Sequence, residues 1–281
     1  MSAGQLTVIG ARRSPISGTP TGRGATAVCC YLCVMFEGST TDRTDVYCEY
    51  PTPRELTGSV ACTWVHQPAV DSMQLIIPDA CVDLIWLAGN ELVIAGPDTG
   101  PREAFLPGGR RSSGIRLRPG AAGAFLGMPA SEIRDVQVAA EDMWGDVARR
   151  LADVLATADA QQQQAVLCEA LELLAPIPDP LVLAAASSLA LPGSRVAAVA
   201  DELGVSERQL HRRTVAAIGY GPKTLARVLR LRRLMALPSS SLAGRALAAG
   251  YSNQAHMTDE VRRLTGRSPV RFLEDHTFVA A

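Results

Sequence analysis

Long apolar runs are missing from this chain of 281 residues. Residues 25–36 are mostly apolar, but 12 residues are too few for a helix that crosses a bilayer. Arginines precede this run, as in a secretory signal, yet no clear small-residue cleavage pattern follows. A membrane partner is therefore not expected. Lysine is nearly absent: Lys223 is the only one, so arginine carries the positive charge. The seven cysteines (Cys29, Cys30, Cys33, Cys48, Cys62, Cys81 and Cys168) are odd in number and irregular in spacing. That argues against a disulfide framework and fits reduced thiols in a cytoplasmic protein. Cys30-Tyr31-Leu32-Cys33 is a CxxC, but no second pair or nearby histidine completes a zinc set. No metal and no cofactor is expected. GxSxG, a phosphate-cradling glycine loop and HExxH are also missing, so the chain is not expected to be an enzyme.

A net charge of −1 conceals an asymmetry. Residues 194–281 carry 14 Arg and Lys against 7 Asp and Glu, a net of +7, and the remaining 193 residues carry 13 against 21, a net of −8. A basic C-terminal domain on an acidic body is the footprint of a nucleic-acid partner.

The chain divides by pattern. Residues 1–45 read as a poorly ordered tail, rich over residues 1–24 in Gly, Ser, Thr, Pro and Arg, in which Met35 is an alternative start. Residues 46–175 read as a β-rich effector or dimerisation domain, with short strands between recurrent Gly and Pro, as a cupin-like β-barrel requires. Residues 81–87 and 92–95 flank a hairpin turn, and residues 115–118 alternate before Pro119-Gly120. Trp144, Val147, Ala148, Leu151, Val154 and Leu155 then recur at helical spacing, followed by a second helix through Leu167 and Leu171. This helical hairpin either caps the barrel or carries subunit contacts. Residues 176–193, opened by three prolines, read as a linker, although 181–190 has the pattern of a first helix of the next domain. Residues 194–275 complete an α+β architecture with an all-α domain.

That domain holds the same short motif twice at a 46-residue offset. Residues 200–213 and 246–259 each have an apolar helix, a glycine turn (Gly204, Gly250), a Ser and a polar helix. Ser206 is placed to cap the first polar helix, and Ser252 or Asn253 the second. Leu210 faces inward, leaving Arg208, Gln209, His211 and Arg212 on outer faces. Arg donates two bonds to guanine, and Gln pairs bidentately with adenine. On the second helix Gln254, Ala255, His256, Thr258 and Asp259 face out, the Ala or Thr methyl suits a thymine methyl, and Arg262 and Arg263 suit phosphates. The helix between the units, 222–237, is roughly 24 Å long at 1.5 Å per residue. That can hold two reading helices about one duplex turn, roughly 34 Å, apart. Its Arg227, Arg230 and Arg233 reach either phosphates or the N-terminal domain.

Residues 192–275 resemble the DNA-binding domain of the AraC/XylS family of bacterial transcription regulators. The resemblance rests on Leu203-Gly204-Val205-Ser206, Leu210, Gly219-Tyr220-Gly221-Pro222, Arg230-Leu231-Arg232-Arg233, Ala249-Gly250-Tyr251, Gln254-Ala255-His256 and Leu264-Thr265-Gly266-Arg267-Ser268-Pro269. It implies seven helices, double-stranded promoter DNA as partner, RNA polymerase contact if the protein activates, and base reading by Arg208, His211 and Arg212, then Gln254, Ala255, His256 and Thr258. Residues 78–86, 95–99 and 116–120 resemble, less specifically, the effector domain of actinobacterial members. That implies a small-molecule effector, a homodimer, or both. Trp86, Asp83 and Asp98 are candidates to line its pocket, with Asp83 read preferentially as a satisfied strand-edge carboxylate. Four positions depart from the pattern. Thr214 and Val261 replace buried Phe residues, a loss of about 2–4 kcal/mol each unless neighbours fill in. Asp259 replaces a common basic residue, and Arg245 an apolar one. The second unit is accordingly expected to bind DNA more weakly than the first. Two other classes stay open: a cysteine-based redox or metal-responsive DNA-binding regulator, and a purely architectural DNA binder.

Overall fold

The computed structural model describes residues 33–36, 45–174, 177–238, 241–274 and 279–280. Most of the expected N-terminal tail lies outside these residues, with Cys29 and with Cys30, the first cysteine of the CxxC. Within the tail, strand β1 (Cys33–Phe36) pairs antiparallel with β2 (Asp45–Tyr50).

The N-terminal half is sheet-rich. β3 (Val60–Gln67), β4 (Ser72–Ile77), β5 (Val82–Leu87), β6 (Glu91–Ala95), β7 (Arg102–Leu106), β8 (Ser112–Leu117) and β9 (Gln137–Ala139) form two sheets. The larger has the order β1-β2-β3-β8-β5-β6-β9. The smaller has β4 and β7, joined by β10 (Val279–Ala280), which pairs parallel with β4. The expected barrel is not closed. β4 and β7 leave the main sheet to cover one of its faces, and β1 and β9 remain its edges among the described residues. The expected hairpin at 81–95 is β5–β6.

The main sheet is buried on both faces where it matters. Every residue of β8 is buried, and the expected in–out alternation fails there because two different layers cover the strand. One cover is helical: α1 (Ala122–Leu126), α2 (Ala140–Trp144), α3 (Asp146–Thr157) and α4 (Ala160–Leu174). Leu155, Leu167 and Leu171 share a core with Leu84, Ile94, Ile115 and Leu117. The helical hairpin thus caps the sheet. Val147 and Val154, expected in this core, are instead about half exposed, at 53% and 50%.

The C-terminal half is all helix up to Glu274: α5 (Pro180–Leu189), α6 (Val196–Glu202), α7 (Glu207–Ile218), α8 (Pro222–Ala236), α9 (Leu242–Ala249), α10 (Gln254–Thr265) and α11 (Pro269–Glu274). Helix α5 occupies most of the expected linker. Val182, Ala185 and Leu189 join Leu210, Leu225, Val228, Leu231, Met257 and Phe272 in one core, so α5 packs with the helical domain. Ile77 and Ala80 of the sheet domain reach the same core.

Candidate nucleic-acid interface

In each unit a left-handed glycine makes the turn: Gly204 at φ 67° and Gly250 at φ 91°, values that a side chain with Cβ tolerates poorly. Helix α7 then starts on a complete capping box. The Ser206 hydroxyl accepts from the Gln209 N–H at 3.2 Å, and the Gln209 amide oxygen accepts from the Ser206 N–H at 2.9 Å. The Gln209 oxygen is already engaged, and a bidentate adenine contact would have to break the box.

Arg208 and Arg212 lie four apart on one exposed face of α7, and among the described residues neither has an ion-pair or hydrogen-bond partner. His211 is exposed but leans on the backbone: a Cβ on Gly221 would sit 2.5 Å from its ring. Arg213, the neighbouring cation, is held by Asp179 through two bonds of 2.6 and 2.7 Å. Burial pushes the Asp179 carboxyl up, but bonds from Arg213 and backbone N–H groups outweigh it and leave the group below its ordinary range. Asp179 also caps α5 by accepting from Leu181 N–H at 3.0 Å. Thr214, where a Phe was anticipated, is fully buried and satisfies its hydroxyl on the Leu210 carbonyl.

The second unit differs. Asn253, not Ser252, caps α10, accepting from the His256 N–H at 2.8 Å. Gln254, Ala255, Asp259, Arg262 and Arg263 are exposed. The Thr258 hydroxyl donates to the Gln254 carbonyl at 2.9 Å, which leaves its methyl for a base. His256 makes contacts within the domain. Its Nδ1 lies 2.9 Å from the Ser252 hydroxyl, its Nε2 lies 3.2 Å from Glu260, and its ring stands edge-on to Tyr251 at 5.6 Å. Glu260 also takes Arg227 at 3.4 Å and Arg230 at 2.7 Å, so two of the four α8 arginines are spent on this one carboxylate. Arg245 is explained as well: it donates to the Leu234 carbonyl at 3.0 Å, near the end of α8.

Helix α7 is also seated on the sheet domain. A Cβ on Gly123 of α1 would meet the Ala216 carbonyl oxygen at 2.6 Å, and one on Gly219 would meet Pro97 Cγ at 2.5 Å. Arg134 donates to the Gly219 carbonyl at 3.5 Å, and Arg232 of α8 to the Asp79 carbonyl at 3.2 Å.

Between the two sheets lies a cavity of about 80 Å³ lined by Tyr47, Trp64, His66, Asp83, Arg102 and Arg116, among others. Arg116 is its hub, holding Asp83 at 3.1–3.2 Å, Glu49 at 3.3 Å and Asp79 at 3.6 Å. Trp64 adds a bond to Asp83 at 3.0 Å, and fits only because Gly114 has no Cβ, which would stand 2.3 Å from the indole. Burial raises Asp79 to about 6 against the pull of Arg116. Of the three pocket candidates, Asp83 alone lines the cavity, from a central strand and not an edge. Asp98 pairs with Arg102 at 3.4 Å, and Trp86 packs in the core beneath the helices. The Arg116 cluster was missed because its charge falls in an apparently alternating strand. A second signal was present: Asp83, another charge, stands among the apolar residues of a neighbouring strand.

Burial raises the thiols of Cys62 to about 12 and Cys168 to about 11, and Cys81 well above its ordinary range. Thiolates, the reactive form, are thus disfavoured at all three. Among the described residues no three His, Cys, Asp or Glu converge as metal ligands, and no helix is long and apolar enough to cross a membrane.

Residues 199–275 match a family described as a helix-turn-helix domain, and residues 48–139 a family described as a domain of unknown function. No curated protein matches the chain. Similar solved structures include ToxT from Vibrio cholerae O395, at 10% identity, covering 75% of this chain and 96% of that one, with a TM-score of 0.42. A point variant of apo ToxT from strain SCE256 has 11% identity, coverage of 76% and 96%, and a TM-score of 0.41. Wild-type ToxT from that strain with bound unsaturated fatty acid has 12% identity, coverage of 88% and 100%, and a TM-score of 0.36.

Proposed function

We propose that this chain, whose residues 199–275 are a DNA-binding helix-turn-helix domain of the AraC type, is an effector-controlled, sequence-specific transcription regulator acting in the cytoplasm on promoter DNA. It places α7 and α10 in successive major grooves. The observation that carries this reading is the pair Arg208 and Arg212: exposed, unpartnered among the described residues, and on one face of a firmly capped helix. Bidentate contact with guanine is the chemistry such a pair supplies. No catalytic role is proposed.

The sheet domain is the sensor. Its cavity is well below the roughly 300–1,000 Å³ of sites for drug-sized ligands. A small polar effector fits as it stands, and a larger one must part the sheets. Ala95, Gly96 and Arg102 border the cavity, and Pro97 between them touches Gly219 at the end of α7. Filling the cavity is thereby felt at the first reading helix. Val147 and Val154, exposed seven residues apart on α3, offer an apolar strip for a homodimer, and activation would add contact with RNA polymerase.

The test is affinity for a duplex selected from a random library against a scrambled duplex. Arg208→Ala and Arg212→Ala should each weaken binding to the selected duplex by about 1–3 kcal/mol and shrink its advantage over the scrambled one. Wild-type affinity and selectivity in both variants would reject the assignment of α7.

A further inference from the structure

Between the two helix-turn-helix units lies a cleft of about 530 Å³. Its walls come from the start of the first unit (Pro192, Gly193, Arg195), from α8 (Arg230, Arg233) and from the second unit (Leu247, Ser252, with Tyr251 behind). Three arginines in one concavity need counter-charge. Among the described residues only Arg230 has a carboxylate, Glu260 at 2.7 Å. Arg233 donates to a neutral group, the Ala249 carbonyl, at 2.6 Å. Burial and the nearby Arg230 both disfavour its charge and lower its pKa. Arg195, the exposed cap residue of α6, has no partner among the described residues. A concave surface with two uncompensated cations focuses positive potential into its interior.

The position of the cleft says which anion it meets. Ser252 on its wall immediately precedes Asn253, the cap of α10, so the cleft opens beside the end of the reading helix that enters the groove. Two helices in successive major grooves straddle a minor groove and the phosphate strands that bound it. The protein surface between those helices therefore faces sugar and phosphate, not major-groove base edges. The composition agrees: guanidinium groups suit phosphate, and Pro192 and Leu247 offer apolar contact to deoxyribose.

We infer that this cleft seats the DNA backbone where it crosses between the two major grooves, with Arg195 and Arg233 as its phosphate contacts. The inference rests on the DNA-binding reading above and adds a third, sequence-independent hold between the two reading helices. It predicts a site that contributes to affinity and salt dependence without contributing to selectivity.

The experiment uses the full chain, with fluorescence anisotropy on a library-selected duplex and a scrambled duplex between 50 and 200 mM salt. Arg195→Ala removes one cation. Leu247→Glu, at a residue 62% exposed, sets a carboxylate on the wall without disturbing the core. Each should weaken both duplexes by the same factor, about 5–20-fold at the higher salt, and leave their ratio and the melting temperature unchanged. Arg195→Ala should also flatten the log–log salt slope by about one unit, the loss of one phosphate contact. Wild-type affinity and slope in both variants, alongside a changed duplex ratio in Arg208→Ala, would overturn the cleft while leaving the regulator intact. Failure of the wild-type chain to prefer any selected duplex would instead overturn the regulator.

Discussion

Replacing Gly123 by Ala tests whether the first reading helix rests on the sheet domain, because the sign of the effect depends on that contact. Gly123 lies within α1, where Ala is favoured over Gly by up to about 1 kcal/mol. If α7 were not seated there, the variant would be more stable than the wild type. With α7 seated, the new Cβ stands 2.6 Å from the Ala216 carbonyl oxygen and 3.1 Å from Ala217 Cα. Both are backbone atoms in the body of a helix, so no side chain can rotate away. Reaching an ordinary contact near 3.4 Å requires the helices to part by about 0.8 Å. Overpacking of this kind costs about 1–3 kcal/mol. The net expectation is a loss of roughly 1 kcal/mol, or about 2–4 °C in melting temperature for a chain of this size. Urea denaturation of the full chain gives the energy. Faster amide exchange at residues 215–218, without faster exchange in β5 or β8, gives the location. A variant more stable than wild type, with unchanged exchange in α7, refutes the docking of α7 on α1.

Three further outcomes follow from the same geometry. Ser206→Ala removes the capping box of α7 and should cost about 1 kcal/mol in urea denaturation, and the freed Gln209 should then contribute to DNA binding; no change in stability would contradict the box. Asp79 has a folded-state pKa raised from 3.8 to about 6. The folded state therefore binds the extra proton, and this group's contribution is fully present below about pH 4 and lost as pH rises through 6, by up to about 3 kcal/mol. Asp79→Asn should remove that loss and be closer to wild type, or above it, at pH 7.5 than at pH 4.5; the opposite order of denaturation midpoints would reverse the argument. Gln254→Ala should weaken the selected duplex less than Arg208→Ala does, and an equal or larger loss in anisotropy titrations would remove the asymmetry between the units.

The helical domain was legible in the sequence because its signals are local. Glycine turns, cap residues and a 3.6-residue apolar period lie within a dozen residues of each other, and α5 to α11 follow them. What escaped were side chains whose nearby partners take up the polar groups that would otherwise face out. His256 looks like a reader until Glu260 and Ser252 bracket its ring. Gln209 looks like a reader until Ser206 claims its oxygen. Arg245 looks like an intruder until α8 presents a free carbonyl. The sheet domain was legible only coarsely. The β5–β6 hairpin is a local event, but the departure of β4 and β7 into a second layer depends on distant pairings, such as Ser72 with Leu106, 34 residues apart. That layer buries the face of β8 that the helices leave open. Arg116, which reads as solvent-facing by alternation, then becomes the centre of the interior charge cluster.

The asymmetry between the two units has a consequence for control. On the proposed reading the first unit supplies the cationic grip, through Arg208 and Arg212, and the same helix is pressed by its other end against Pro97, α1 and Arg134. The second unit hangs from α8 through Glu260, Arg227, Arg230 and His256, a brace made wholly of residues from the helical domain. An effector acting on the sheet domain therefore has its main purchase on α7 and less on α10, through Arg232 and α8 and through Pro101 beside Gly266 at the end of α10. Displacing the stronger head is enough to release the DNA, since losing either groove removes the gain from holding both. Effector control should accordingly appear as a change in the contribution of Arg208, measured as the Arg208→Ala penalty with and without effector. The Gln254→Ala penalty should stay constant. A penalty that moves equally at both positions would mean that control passes through α8 and not through the seat of α7.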